Sequence, residues 1–301
     1  MDKFVLTCCS TVDLKKERLD ERGIPYACFH WQADGVDHVD DLYQSISPDE
    51  FFSRIAAGMC PKTSQVSVRE YVDLWTPIVE AGHDVLHLTL SSGISGSYNA
   101  ACIAAKQVEE NHPGRRVEVV DSLGASSGYG MLVEYVADRR DAGDTLDEAR
   151  DWALTHRNLV HHWFFSTDLT SYRRGGRVSA PAAWVGGLLK LCPLLNVNRE
   201  GRLIPREKIR TPKKAIAEQV ARMVEHARDL EGNTGAAYDG RCALSMSACR
   251  GYAEEVVALI EEKFPKLADG RIEINDIGTV IGSHTGPGTV ALFFLGDDRE
   301  E

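Results

Sequence analysis

"SSGISGSYNAA" runs from Ser91 to Ala101, and its surroundings decide the fold. The apolar "VLHLTL", Val85–Leu90, precedes it and reads as a strand, and an alanine-rich helical segment to about Asn111 follows. A strand that enters a helix through a loop of serines and glycines is the joint of a parallel α/β sheet. Glycines there expose backbone N–H groups at a helix N-terminus and the serines add hydroxyl donors, a combination suited to an anion such as phosphate or carboxylate. Plain helix capping by Ser95 or Ser97 accounts for the same residues.

The neighbouring segments repeat the alternation. "KFVLTC" and "IPYACFHW" are strand-like and flank the helical "LKKERLDERG". Ser47 with Pro48 and Glu50, Ser67 with Glu70, and Thr145 with Glu148 mark helix starts of the capping-box kind. After Ser67, residues Val68, Tyr71, Val72, Trp75, Ile78 and Val79 share one helical face, and Gly82 ends the run. "RRVEVVDS" is a further strand and "GYGMLVEYVADRRDAG" a further helix. This order predicts a parallel, Rossmann-like sheet covered on both faces. The loops Cys8–Thr11, Ser91–Ser97 and Ser122–Ser127 all follow strands, so they are expected to meet at one sheet edge, where such sheets bind ligands.

Near His161 the pattern changes. "HHWFFSTDL" is an apolar strand, and "CPLLNVNREGRLIP" reads as a hairpin around "NREG". Helices over about Pro212–Leu230 and Tyr252–Phe264, with strands near Cys242–Ser247, Arg271–Ile277 and Val290–Leu295, predict a smaller α+β domain. The expected organisation is α/β in two domains: residues 1–163, a parallel-sheet domain, and residues 164–301, an α+β domain.

Bulk composition narrows the function. The 301 residues are 43% hydrophobic and 26% charged, with 34 basic against 45 acidic side chains and a formal charge of -11. That balance argues against a general nucleic-acid surface, with "REKIRTPKK" as the best local basic patch. The eight cysteines include no CxxC pair and match no zinc spacing, which predicts reduced thiols and no metal site. His83 and His87 fall on or beside a strand, and His161 and His162 point to opposite faces of one. No signal-peptide core opens the chain, and the apolar "WVGGLLKLCPLLNV" is interrupted by Lys190 and Pro193. A cytoplasmic protein without a transmembrane segment is expected.

Established chemistries fail in the opening loop. A phosphate loop needs GxxxxGK, a dinucleotide loop GxGxxG and a nucleophile elbow GxSxG, and Gly93 and Gly96 fit none of them. "SHTGPGT", Ser283–Thr289, mimics a dinucleotide motif but runs into the strand-like "TVALFFL". His284 there offers a donor for an anion. One alternative is a serine-dependent acyl hydrolase using Ser92 or Ser95 with His284, although no Asp is evident to orient the histidine. A phosphosugar or nucleotide binder on the parallel sheet is another.

Six stretches together resemble the DegV family of bacterial fatty-acid-binding proteins, some of which act as lipid-carrying subunits of fatty acid kinase. They are "KTSQ" (Lys62–Gln65), "SSGISGSYNAA", "DSLGASSGYGMLV" (Asp121–Val133), "RRGGRVS" (Arg173–Ser179), "WVGGLLKLCPLLNVNREGRLIPREKIRT" (Trp184–Thr211) and "SHTGPGT". Each is weak alone; their order and spacing make the set specific, and it covers nearly the whole chain. The resemblance implies two α/β domains with a fatty acid between them, tail buried and carboxylate near the interface. It implies carboxylate donors at Thr63, Ser92 and His284, assisted by Ser91, and a partner-kinase contact at Arg210, with Arg173 or Arg177 bordering it. Phe164, Phe165, Trp184, Leu188 and Leu189 are the candidate tunnel-lining residues. The implied protein is a carrier with no catalytic residue, metal or cofactor of its own, whose long-chain fatty acid is phosphorylated by a separate kinase subunit. Transient membrane contact is compatible with such a role. Two departures stand out: Cys8 and Cys9 occupy the places of the family's usual Asp-Ser, and Val66 replaces the proline that usually follows "TSQ".

Overall fold

The computed structural model describes residues 4–178 and 191–301. The first half runs β1 (Phe4–Cys9), α1 (Lys16–Glu21), β2 (Tyr26–Ala27), β3 (His30–Ala33), β4 (Val36–Val39), α2 (Pro48–Ala56), β5 (Lys62–Ser64), α3 (Val68–Glu80), β6 (Asp84–Thr89), α4 (Ser97–Asn111), β7 (Val117–Asp121), α5 (Ser126–Ala142) and α6 (Leu146–His156). The second half runs β8 (Val160–Ser166), α7 (Thr170–Gly175), β9 (Leu194–Val197), β10 (Leu203–Glu207), α8 (Pro212–His226), β11 (Cys242–Met246), α9 (Arg250–Lys263), β12 (Glu273–Asp276), α10 (Thr279–Thr285) and β13 (Thr289–Leu295).

Among the described residues these strands form three sheets. The parallel sheet expected from the alternation is present, with four strands in the order β2-β1-β6-β7. The second sheet has six strands, β10-β9-β8-β13-β11-β12, antiparallel except for β11 beside β12. The "NREG" hairpin joins β9 and β10 as read from the sequence. A third, three-stranded antiparallel sheet, β4-β3-β5, was not anticipated. It splits "IPYACFHW" between β2 and β3, and β3 turns into β4 through Asp34 and Gly35, both at positive φ. Residue 163 lies inside β8, so a division between 163 and 164 cuts a strand that belongs wholly to the six-stranded sheet; by sheet membership the chain divides before Val160.

Local capping explains the helix starts. Ser67 and Thr145 each form a reciprocal box with the glutamate three residues on, whereas Ser47 caps α2 through a single bond from the Glu50 N–H. Helix α5 packs on strands of both large sheets, touching β1, β8, β11 and β13, and its residues from Ser126 to Val133 are all buried. A helix enclosed on all sides needs small residues where neighbours crowd it. A Cβ on Gly128 would stand 2.4 Å from His162 Nε2, and one on Gly130 2.7 Å from the Val12 carbonyl oxygen. Glycine costs roughly 1 kcal/mol of helix propensity at each position; close packing of α5 between the sheets offsets it.

The faces of β8 and β13 sort the interior. Phe164, Ala291 and Phe293 belong to the core shared with the parallel sheet, while Trp163, Phe165, Val290, Leu292 and Phe294 belong to a second core under α8 and α9. A third cluster, Trp31, Ala33, Phe51, Phe52 and Ile277, ties the small sheet and α2 to the segment leading into α10. None of the eight cysteines is disulfide-bonded. Among the described residues no helix is long and apolar enough to cross a membrane.

Candidate functional site

A cavity of about 450 Å³ lies between the parallel and six-stranded sheets, within the roughly 300–1,000 Å³ of small-molecule sites. Its position follows from strand alternation: His162 and Phe164 of β8 and Thr289, Ala291 and Phe293 of β13 face it. Leu90 and Ile94 close it from the parallel sheet, and Ile277, Val280 and Ile281 from the α10 side. The wall is mainly apolar, with His162, Ser126 and Thr289 as polar points along it and further polar groups at Thr63, Gln65, Ser95, Arg177 and His284.

Thr63 and His284, 221 residues apart, meet at a polar end of the cavity. Thr63 sits on β5 of the small sheet and His284 in the last turn of α10, with Thr63 Oγ1 2.7 Å from His284 Nε2. Arg177 Nη1 donates to His284 Nδ1 at 3.4 Å. Burial, and then the Arg177 charge, lower the His284 pKa to about 4, so the ring is neutral near pH 7. With Nδ1 accepting from Arg177, the ring proton is on Nε2 and is donated to Thr63 Oγ1. The Thr63 hydroxyl hydrogen then remains available to an acceptor in the cavity. "RRGG" has a packing role here, because a Cβ on Gly175 would stand 2.7 Å from His284 Nδ1.

The opening loop is arranged differently from the expectation. Ser91 is buried and donates through Oγ to the Gly201 carbonyl at 2.8 Å, and does not line the cavity. Ser92 is exposed; its backbone N–H is held by Asp121 Oδ1 at 3.1 Å, which leaves its side chain outside the lining. Ser95 and Gly96 reach the cavity instead. Gly93 is required by proximity to the "NREG" turn: a Cβ there would stand 2.6 Å from the Gly201 oxygen. Gly96 is the N-cap of α4 without a side-chain bond, Ser95 Oγ accepts the Ser97 N–H at 3.2 Å, and Ser97 Oγ lies 2.5 Å from Tyr71 Oη.

The remaining positions divide. Phe164 lines the cavity, but Phe165, one residue on, points into the second core because successive strand residues face opposite ways. Trp184, Leu188 and Leu189 lie outside the described residues. Arg177 borders the cavity, while Arg173 on α7 and Arg210 before α8 are exposed. A shallower recess of about 210 Å³ adjoins the polar end and is bordered by Thr63 and His284 with Lys62, Arg174 and Arg177. No hydrogen bond joins Ser92 or Ser95 to His284 among the described residues, so the Ser–His pair of an acyl hydrolase is not formed. Thr285 and His162 are among the lining residues that the sequence did not point to. Thr285 has a buried hydroxyl with no partner among the described residues. His162 is held as the neutral Nδ1–H tautomer, with Nδ1 2.9 Å from the Val160 carbonyl and Nε2 accepting from the Ala125 N–H at 3.2 Å. Burial pushes its pKa well down.

Cys8 and Cys9 lie in the core of the parallel sheet. Cys9 Sγ is 3.2 Å from Tyr71 Oη and 3.6 Å from His87 Nε2. Burial raises the Cys9 pKa to about 11 and lowers that of His87 to about 3, so both are neutral groups in a structural network rather than a nucleophile and its base.

Fold and site together define a three-sheet α/β protein with an apolar small-molecule cavity between its two larger sheets and a polar end beside the smallest. The family described as "Uncharacterised protein, DegV family" matches residues 3–297. The chain is 34% identical over 300 residues to a DegV domain-containing protein of Clostridium perfringens, covering 100% of each. A solved fatty-acid-binding DegV family protein from Thermus thermophilus superposes with a TM-score of 0.81 at 28% identity, covering 98% of this chain and 100% of that one. Another, from Streptococcus agalactiae, has a TM-score of 0.82 at 26% identity, covering 99% of this chain and 100% of that one. The chain belongs to the DegV family.

Proposed function

We propose that this protein binds one long-chain fatty acid in the cavity, with its tail between the sheets and its carboxylate at Thr63 and His284. The observation that carries the reading is the pairing of an apolar cavity with a Thr63 hydroxyl oriented by neutral His284 at one end, in a family whose solved relatives are described as fatty-acid-binding. Burying each methylene is worth about 0.8 kcal/mol, so a tail of about 14 gives roughly 11 kcal/mol before the costs of binding. Affinity then comes from the tail. The head needs only enough donors that its charge is not stranded, and the Thr63 hydroxyl, the Thr285 hydroxyl and the Arg177 charge are available there.

The carboxylate so held is offered to a separate fatty acid kinase, which transfers a phosphoryl group from ATP to a carboxylate oxygen, giving acyl phosphate and ADP. Support comes from the cationic recess of Lys62, Arg174 and Arg177 beside the polar end, and from exposed Arg173 on the same helix as Arg174. Arg210 is a further exposed contact for the kinase. The test is organic extraction of the purified protein with mass spectrometry of the lipid, followed by incubation with kinase and ATP and hydroxylamine trapping of acyl phosphate. Protein that neither carries nor takes up a fatty acid refutes the binding reading. Bound lipid without a trappable product refutes presentation to the kinase.

A further inference from the structure

We propose that His161, His226 and Asp297 form a binding site for one divalent first-row transition metal ion, on the face of the six-stranded sheet opposite the cavity. The residues come from β8, the last turn of α8 and the segment after β13. One ligand atom from each lies within 4.8 Å of the others. Asp297 Oδ1 is 3.2 Å from both His161 Nε2 and His226 Nδ1; His161 Nε2 is also 2.9 Å from the Asp297 backbone carbonyl, a hydrogen bond that metal binding replaces as the nitrogen gives up its proton. Ligands held at about 2.0–2.1 Å in a tetrahedral zinc site stand about 3.3 Å apart, so both of these edges already have the required length.

The surroundings favour a cation. Asp297 pairs with imidazoles only; no Lys or Arg faces its carboxylate among the described residues. The rings are pre-positioned: His161 stacks on Phe294 with centroids 5.0 Å apart, and His226 stacks on His161 at 5.0 Å and on Trp163 at 6.0 Å. With Nδ1 of His226 directed at the ion, its Nε2 lies 3.7 Å from Glu225 Oε2, placing a carboxylate behind a ligating histidine as metal sites commonly do. Two imidazole nitrogens with a half-exposed carboxylate suit Zn²⁺, Co²⁺ or Ni²⁺ better than Mg²⁺ or Ca²⁺. An ion bound there would fasten α8 and the C-terminal segment to β8, a structural role independent of the lipid.

The test uses the full, tag-free chain after chelator treatment, titrated with Zn²⁺ by calorimetry and with Co²⁺ by visible absorption. One equivalent should bind with a Kd of about 1 μM or tighter, Co²⁺ should give the intense visible bands of a four-coordinate site, and Zn²⁺ should raise the Tm. His226→Gln and Asp297→Asn should each weaken binding at least tenfold while keeping fatty-acid uptake. Absence of one-equivalent binding in the unsubstituted protein overturns the proposal without reference to any variant. Binding unchanged in either folded variant overturns it too.

Discussion

Thr63→Val removes one hydroxyl and leaves a side chain of nearly the same shape. Thr63 Oγ1 accepts from His284 Nε2–H at 2.7 Å, so its own hydrogen is the one available for a carboxylate. A hydrogen bond to a charged group contributes about 1.5–3 kcal/mol, which corresponds to roughly tenfold to hundredfold weaker binding. The apolar wall is untouched, so the tail contribution is unchanged. The assay is displacement of a fluorescent fatty acid by oleate and by methyl oleate, whose ester carries no charge. Oleate should lose affinity by the stated factor, while methyl oleate should bind the variant and the unsubstituted protein alike. Equal weakening of both ligands, or unchanged oleate binding, would refute the placement of the carboxylate at Thr63.

Other substitutions separate packing from binding. Phe165→Ala, in the second core, should cost about 3–5 kcal/mol in urea unfolding with an unchanged bound-lipid profile. Phe164→Ala should instead shift the extracted lipids toward bulkier or longer chains by mass spectrometry. Gly93→Ala should lower stability by about 1–3 kcal/mol, because its Cβ meets backbone atoms of Glu200 and Gly201. Gly96→Ala, which meets only the end of the Gln65 side chain, should cost much less in the same thermal scan. Acid should expose His87. Its pKa is about 3 in the fold against about 6.5 unfolded, and at about 1.4 kcal/mol per pH unit the gap amounts to about 5 kcal/mol. Between those values the unfolded chain binds the extra proton, so this stability is complete above pH 6.5 and is lost as pH falls toward 3. Buried Asp13 and Asp40, whose pKa values are raised by burial, work in the opposite sense. The readout is therefore the difference between the unsubstituted protein and His87→Gln in urea midpoint against pH, which should widen from acid to neutral pH; a flat difference contradicts the burial argument.

Elements defined by local chemistry were legible in the sequence. The β6–α4 joint, the "NREG" hairpin and the strand after "SHTGPGT" each carry a turn or capping signal within a few residues, and each is where that signal put it. The small sheet had a local signal too, the Asp34-Gly35 turn between "HWQA" and "VDHV", but β3 follows β2 so closely that one apolar run hid two strands. That matters for the site, since β5 of this sheet carries Thr63. Ser92 illustrates a different limit. That neither of two adjacent serines lines the cavity follows from bonds to Asp121 and Gly201, residues that are near only after folding. The histidine–aspartate cluster was equally hidden: its spacing of 136 residues between His161 and Asp297 matches no local metal pattern.

β8 shows why the two faces of the central sheet must be read separately. All seven of its residues are buried, so burial alone cannot tell a ligand-facing position from a core position. Alternation can: His162 and Phe164 border the cavity, while His161, Trp163 and Phe165 face α8 and its surroundings. Even-numbered positions therefore set the volume and polarity offered to a ligand, and odd-numbered positions set how firmly α8 and α9 are held. The same division runs along β13, where Ala291 and Phe293 oppose Phe164 and His162 while Leu292 and Phe294 oppose Trp163 and His161. A change of ligand shape thus requires substitutions on one face only, and these leave the second core intact. That separation lets the fold keep its stability while the cavity between its sheets is altered.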